Sequence, residues 1–332
     1  MADNRAFVFG PGTAYATIAV YSDGSTPAVL QPTRIDVLQS FDFDIAMTTK
    51  KLMGQLIYPV AIGIGDAKVT GKIKTGRFNS GMISNVALGN NPATYQTTGQ
   101  TLVADQEPQT VQAAKAPAGV TGAITIGTTA LTLSGTITGL TAGMMIGIAG
   151  AGVGPTTLYA TLVSGATTAW VISVPAGITV TVGAITCFPY ITVTNAATFV
   201  NDQGISLGTT GGYYSAIAPA VPTAGSTYVS SPAGVYSFAT ADAATKLLVS
   251  YTYTVATGQN IVVPNLVQGS VGIFSLVYQG QYAGRRITVQ LLNCVSSKFN
   301  LPTKQADFII GEIDLECFAA ANNQVAILGL NE

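Results

Sequence analysis

Gly311-Glu312-Ile313-Asp314-Leu315-Glu316-Cys317-Phe318 alternates acidic and apolar residues with a period of two. In an extended chain this puts three carboxylates on one face and Ile313, Leu315 and Cys317 on the other. A complementary stretch lies far upstream. Lys68-Val69-Thr70-Gly71-Lys72-Ile73-Lys74 has the same period, with three lysines and a threonine on one face and Val69, Gly71 and Ile73 opposite. Oppositely charged strands of matched period suit neighbouring places in a sheet, because charges set directly across favour one register and like charges reject the others. Lys68, Lys72, Lys74, Glu312, Asp314 and Glu316 are therefore candidate subunit-interface residues, through cross-strand or intersubunit ion pairs, with a plainly solvated strand face as the alternative. A calcium site is the weaker reading, since carboxylates at i, i+2 and i+4 spread over about 13 Å of strand.

Strand signals continue on either side. Phe41-Asp42-Phe43-Asp44-Ile45 alternates in the same way, and the short apolar run Val60 to Ile64 reads as a buried strand. After the lysine stretch the period changes: Asn79 or Ser80 can cap a helix through about Leu88, with Met82, Ile83, Val86 and Ala87 as its apolar stripe and Gly89 as its stop. Residues 1–34 read as an extended arm of the kind that reaches a neighbouring subunit, and Asp105 to Gly119 as a linker.

Charge then almost vanishes. Between Lys115 and Lys246 the only charged residues are Asp202 and Asp242, where an average soluble sequence carries roughly 25% charge. Within this stretch, Ala123 to Ile126, Leu131 to Ile137, Met144 to Ile148, Leu158 to Val163, Ala169 to Val174 and Ile178 to Ile185 are short strand candidates separated by Gly, Pro and Ser/Thr turns. They imply an all-β module inserted at about residues 117–189 of a β body made of residues 1–116 and 190–332. Later strands are expected at Tyr236 to Phe238, Leu247 to Tyr253, Val271 to Tyr278, Arg286 to Leu292 and Phe308 to Phe318. The expected fold is mainly β, a sandwich or barrel with one flanking helix plus the small inserted β domain.

Composition narrows the chemistry. The 332-residue chain has no histidine, which removes the usual base for Ser or Cys nucleophiles and the commonest metal ligand. Gly65 to Ile73 has five residues between its glycines and Ile73 where a P-loop needs Ser or Thr, and Gly150-Ala151-Gly152-Val153-Gly154 lacks the third glycine of a dinucleotide loop. No catalytic residue, metal or cofactor is expected. Three widely spaced cysteines, Cys187, Cys294 and Cys317, read as buried small hydrophobes. A formal charge of −1 offers no field to hold nucleic acid tightly, though DNA in transit stays compatible. Met1 to Ala6 carries no apolar signal core, and the Leu140 to Val153 run is too short and glycine-broken to span a bilayer, so synthesis in a cytoplasm without membrane insertion is expected.

The order of segments resembles the major tail tube proteins of long-tailed bacteriophages. The resemblance is carried by Lys50-Lys51-Leu52-Met53-Gly54 through Pro59, by the lysine stretch 68–74 and by the helix around Ser80 to Leu88. It continues through Ala197 to Ile205, Ala233 to Ala243, Val249 to Tyr253 and Ser297 to Phe308 into the acidic strand. It spans about two thirds of the chain in loose patterns, and leaves residues 120–186 outside. It implies a self-assembling subunit of stacked, hexameric rings in a virion tail, made in the host cytoplasm. It also implies tape-measure, terminator and initiator proteins as partners, and double-stranded DNA passing through the lumen. Asp42, Asp44, Glu312, Asp314 and Glu316 are the candidate lumen face, where like charge would keep DNA from adsorbing. The alternative is a capsid decoration or tail-surface adhesin binding a host glycan, with Tyr213, Tyr214, Tyr228, Tyr236, Tyr251 and Tyr253 as its stacking platform.

Overall fold

The structure, a computed structural model, describes residues 12–331 apart from 54–58, 155, 209–210, 283–284, 304 and 306. It is mainly β. In chain order the strands are β1 (Thr13–Val20), β2 (Pro32–Ile35), β3 (Leu38–Met53), β4 (Pro59–Thr75), β5 (Gln96–Thr110), β6 (Thr121–Ile124) and β7 (Ala130–Leu133). There follow β8 (Met145–Ile148), β9 (Leu158–Ala166), β10 (Ala169–Ile172), β11 (Val180–Cys187), β12 (Tyr190–Thr192), β13 (Phe199–Ser206) and β14 (Tyr213–Ala216). The last are β15 (Thr227–Ser230), β16 (Val235–Ser237), β17 (Lys246–Ile261), β18 (Ile273–Tyr282), β19 (Arg285–Asn300), β20 (Gly311–Cys317) and β21 (Ala326–Asn331). Two compact units divide the chain: Met1–Thr98 with Gln259–Glu332, and Gly99–Gly258.

The first unit is one sheet in the order β2-β1-β18-β19-β20-β4-β3, with β21 also on β19. Strands β2 and β3 stand at opposite ends of this order, yet only Asp36 and Val37 separate them in the chain. Two residues span roughly 11 Å from Cα to Cα at most. The sheet must therefore curl until its two edges nearly meet, and the residues facing inward become a core: Ala14, Ala16, Ile18, Ile73, Phe274, Leu276, Leu291, Ile313 and Leu315. Residues 1–11 of the expected arm lie outside the described residues. Its strand Thr13–Val20 is β1, which pairs with this chain's own β18 and buries alternate residues.

The expected helix is present, with a different winding. Asn79 is the cap, its Oδ1 accepting from Met82 N–H at 2.6 Å. From Met82 to Ala87 the turn is a π-helix, with Leu88 N–H bonded to the Ile83 carbonyl five residues back at 3.0 Å. In an α-helix Ala87 would lie about 140° round from Met82. The wider turn returns it to the same side, so that Met82, Val86 and Ala87 all enter the core. Gly89 ends the segment at φ +66.

In the second unit, β6 to β11 close into a six-stranded barrel in the order β10-β7-β6-β11-β8-β9. Its interior holds Leu131, Leu133, Ile146, Ile148, Leu162, Trp170, Ile172 and Ile185. These are the six strands expected within residues 117–189, and the compact unit containing them runs on to Gly258. The rest of that unit is a seven-stranded sheet, β12-β16-β15-β14-β13-β17-β5, packed around Ile191, Ile205, Tyr214, Tyr228, Tyr236, Phe238, Val249 and Tyr251. Met145, Phe188 and Val229 join barrel to sheet. The reading of Asp105 to Gly119 as linker is corrected in its first part: residues 105–110 belong to β5. Because β5 is an edge strand, Pro108 can sit in it without removing an interior ladder bond.

Candidate functional site

The two charged strands are immediate neighbours. In the β4–β20 ladder Lys74 stands across from Glu312, Lys72 from Asp314 and Thr70 from Glu316. Strand β3 flanks β4 on its other side, setting Asp42 across from Lys72 and Asp44 across from Thr70. Strand β19 flanks β20, setting Lys298 across from Asp314. One row of the sheet thus reads Asp42, Lys72, Asp314, Lys298, with the sign of charge alternating over four strands. The ammonium of Lys72 lies 3.0 Å from Glu312 and 3.7 Å from Asp314, that of Lys74 3.2 Å from Glu312, and that of Lys68 2.7 Å from Glu316.

This pairing is made within one chain, and it shifts the groups involved. Hydrogen bonds from Lys72 and Lys74 hold the Glu312 carboxyl below its usual range, and the hydrogen bond to Glu312 raises Lys72. All these groups are solvent-facing, so their value lies in specifying register more than in stability. As a lumen lining the face is weakly charged, because Asp42, Asp44, Glu312, Asp314 and Glu316 are set against Lys68, Lys72, Lys74 and Lys298, five carboxylates to four ammoniums. Among the described residues no group of three or more His, Cys, Asp or Glu side chains is placed to hold a metal ion.

Beyond the ladder the hairpin runs on alone. β20 pairs with β4 from Val69 to Thr75, so among the described residues β3 is the one strand paired with residues 59–68 of β4. Val60, Ile62 and Ile64 occupy alternate positions there and are 72%, 61% and 71% exposed. Ile45 and Met47 of β3 are exposed too, continuing the face that Phe41 and Phe43 present to the core. The reading of Val60 to Ile64 as a buried strand is thus overturned: it is a strand, but it projects past the sheet that would have covered it. The signal was in the intervening residues. Ala61 and Gly63 are small, so the run is apolar on one side only, whereas a strand buried on both faces carries large residues throughout.

The tyrosines do not form a platform. Tyr214, Tyr228, Tyr236 and Tyr251 are core residues, and of the set Tyr213 stands well out in solvent. The two charges of the charge-poor stretch serve this core. Asp202 accepts from the hydroxyls of Tyr228 at 2.5 Å and Tyr236 at 3.1 Å, and from Gly204 N–H at 2.9 Å. Asp242, itself buried, accepts from Gly225 N–H at 2.8 Å. A third carboxylate, Glu107, accepts from Tyr251, Thr194 and Gln109. Its pKa lies below the usual range, those hydrogen bonds outweighing the opposing effect of burial, while burial and the nearby carboxylate raise the Tyr228 and Tyr236 hydroxyls.

No family model matches the chain, and no curated protein matches it. Among the described residues no helix is long and apolar enough to cross a membrane.

Proposed function

We propose that this chain is a virion structural protein, a tail tube subunit that self-assembles into stacked, hexameric rings through which phage DNA passes. The observation that carries the reading is the β3–β4 pair, which holds a row of large apolar side chains out in solvent on a two-stranded arm. Such a face is costly for a protein that works alone and is an ordinary joint for one that works assembled. The charge ladder supports the same reading from a different side. By fixing the register of β3, β4 and β20 it holds the base of the arm in one geometry, as a repeating contact between identical copies requires.

In this reading the partners are other copies of the chain, the tape-measure protein and the terminator and initiator proteins, and no reaction is catalysed. The glycan-binding alternative loses its motivating feature, since four of the six tyrosines proposed for stacking, Tyr214, Tyr228, Tyr236 and Tyr251, are core residues. Sedimentation velocity across a concentration series, with negative-stain imaging of the heaviest fraction, tests the proposal. Rings or tubes are expected. A protein that stays monomeric at every concentration, with a tail initiator complex present, would refute it.

A further inference from the structure

Cys294 on β19 and Cys317 on β20 are partners in register, and their sulfurs are 3.3 Å apart. Both are free thiols, Cys294 buried and Cys317 partly exposed. The ladder beside them shows what kind of pair they are. Phe318 N–H donates to the Asn293 carbonyl at 3.1 Å, so Asn293 and Phe318 are a hydrogen-bonded pair and the next pair along, Cys294 with Cys317, is a non-hydrogen-bonded one. Pairs of that kind bring Cα atoms to about 4.5 Å, the closest approach in an antiparallel sheet. A disulfide tolerates Cα separations of about 4.4 to 6.8 Å, so the backbone already meets its requirement. The sulfurs need only close to about 2.05 Å, a matter of side-chain rotation.

The two thiols are also unequal. The two sulfurs share a hydrogen bond in which either can be the donor; that contact and burial push the Cys294 thiol up, while the contact holds the more exposed Cys317 thiol below its ordinary range. The more accessible sulfur is thus the better nucleophile, with a second thiol in contact behind it.

We propose that Cys294 and Cys317 form a disulfide-bonding site, in which a hydroperoxide oxidises Cys317 and Cys294 resolves the product into a cross-strand bridge. The Cys317 thiolate attacks the hydroperoxide and breaks its O–O bond. With one proton taken up, this gives a sulfenic acid and an alcohol, or water when the oxidant is hydrogen peroxide. Cys294 then attacks the Cys317 sulfur, and its proton leaves with the displaced hydroxide as water. Two electrons leave the thiol pair and two reduce the peroxide.

The bridge would sit at a particular junction. β19 pairs with β21 as far as Leu291, opposite Ala326, and takes up β20 from Cys294 onward. A covalent tie there would stop β20, with its row of carboxylates, from peeling away at the end where the ladder changes partner.

The test uses the full-length protein, folded and free of reductant, treated with hydrogen peroxide, denatured in iodoacetamide and mapped by mass spectrometry. The expected product is one Cys294–Cys317 disulfide with Cys187 alkylated, and a higher unfolding midpoint without reductant than with it. In Cys294→Ser the sulfenic acid at Cys317 should persist and be captured by dimedone. Recovery of both cysteines alkylated, conversion of Cys317 to sulfinic acid in the parent protein, or a bridge that forms only after denaturation would overturn the proposal.

Discussion

Replacing Val60, Ile62 and Ile64 together by threonine should weaken assembly sharply while leaving the subunit folded. Threonine keeps the branched β-carbon that suits a strand, so the hairpin itself is expected to persist. What changes is the surface it offers. Full burial of a Val or Ile side chain stabilises by about 1.5–3 kcal/mol. These three are 72%, 61% and 71% exposed, so about two thirds of each is available to a partner. The three together then supply at most about 3–6 kcal/mol per contact formed, and at about 1.4 kcal/mol per factor of ten their removal weakens association by roughly 10²- to 10⁴-fold. Sedimentation velocity would read this as a shift in the concentration at which rings appear, and circular dichroism would read the unfolding midpoint of the dilute subunit. An unchanged midpoint with a large rise in the assembly concentration is expected. Assembly at the parent concentration would refute the role given to the arm.

Lys72→Glu places a carboxylate between Asp42 and Asp314 and should lower both the unfolding midpoint and the extent of assembly; Asp314→Lys in the same chain should restore much of each, and a double-mutant cycle without coupling would remove the ladder from the argument. Because Glu312 is more acidic folded than unfolded, the ladder's contribution is present above the ordinary glutamate value of 4.5 and is lost as pH falls through the depressed folded value, so the stability gap between the parent and Glu312→Gln should shrink in thermal melts below that pH. Tyr236→Phe removes one of the two hydroxyls on Asp202 and should cost about 1–3 kcal/mol in denaturant titration, whereas the exposed Tyr213→Phe should cost nothing measurable. In Gly311→Ala the new methyl would lie 2.2 Å from Cε1 of Phe78, and the forced shift of that ring should cost about 1–3 kcal/mol by the same titration.

Period-two patterning made the charged strands readable, and the Lys72–Asp314 juxtaposition followed from charge complement alone. It could not say whether the partner strand belonged to the same chain, since a sheet edge offers the same ladder to either. The six barrel strands were legible because glycine-rich turns punctuate them, but their closure was not, as nothing in a short strand names its neighbour. The tyrosines misled for a physical reason: a phenol is at home either on a wet surface or in a core where a carboxylate takes its proton donor, and Asp202 and Glu107 lie far from those tyrosines in sequence. The Cys294–Cys317 contact was hidden similarly, as both positions fit an apolar strand face and only the register across β19 and β20 brings the sulfurs together.

The order of strands in the first unit also sets a timetable. β1 to β4 leave the ribosome early, yet their partners β18 and β20 follow only after all of residues 99–258. The Lys68–Glu316 contact joins positions 248 residues apart. The second unit, continuous in the chain, can therefore fold while the first waits with its lysine strand unmatched and its apolar hairpin bare. In the proposed assembly, nascent chains crowded on one message would lack the sheet that anchors the arm and could not present the finished joint, and polymerisation would wait until synthesis of each copy had reached the acidic strand.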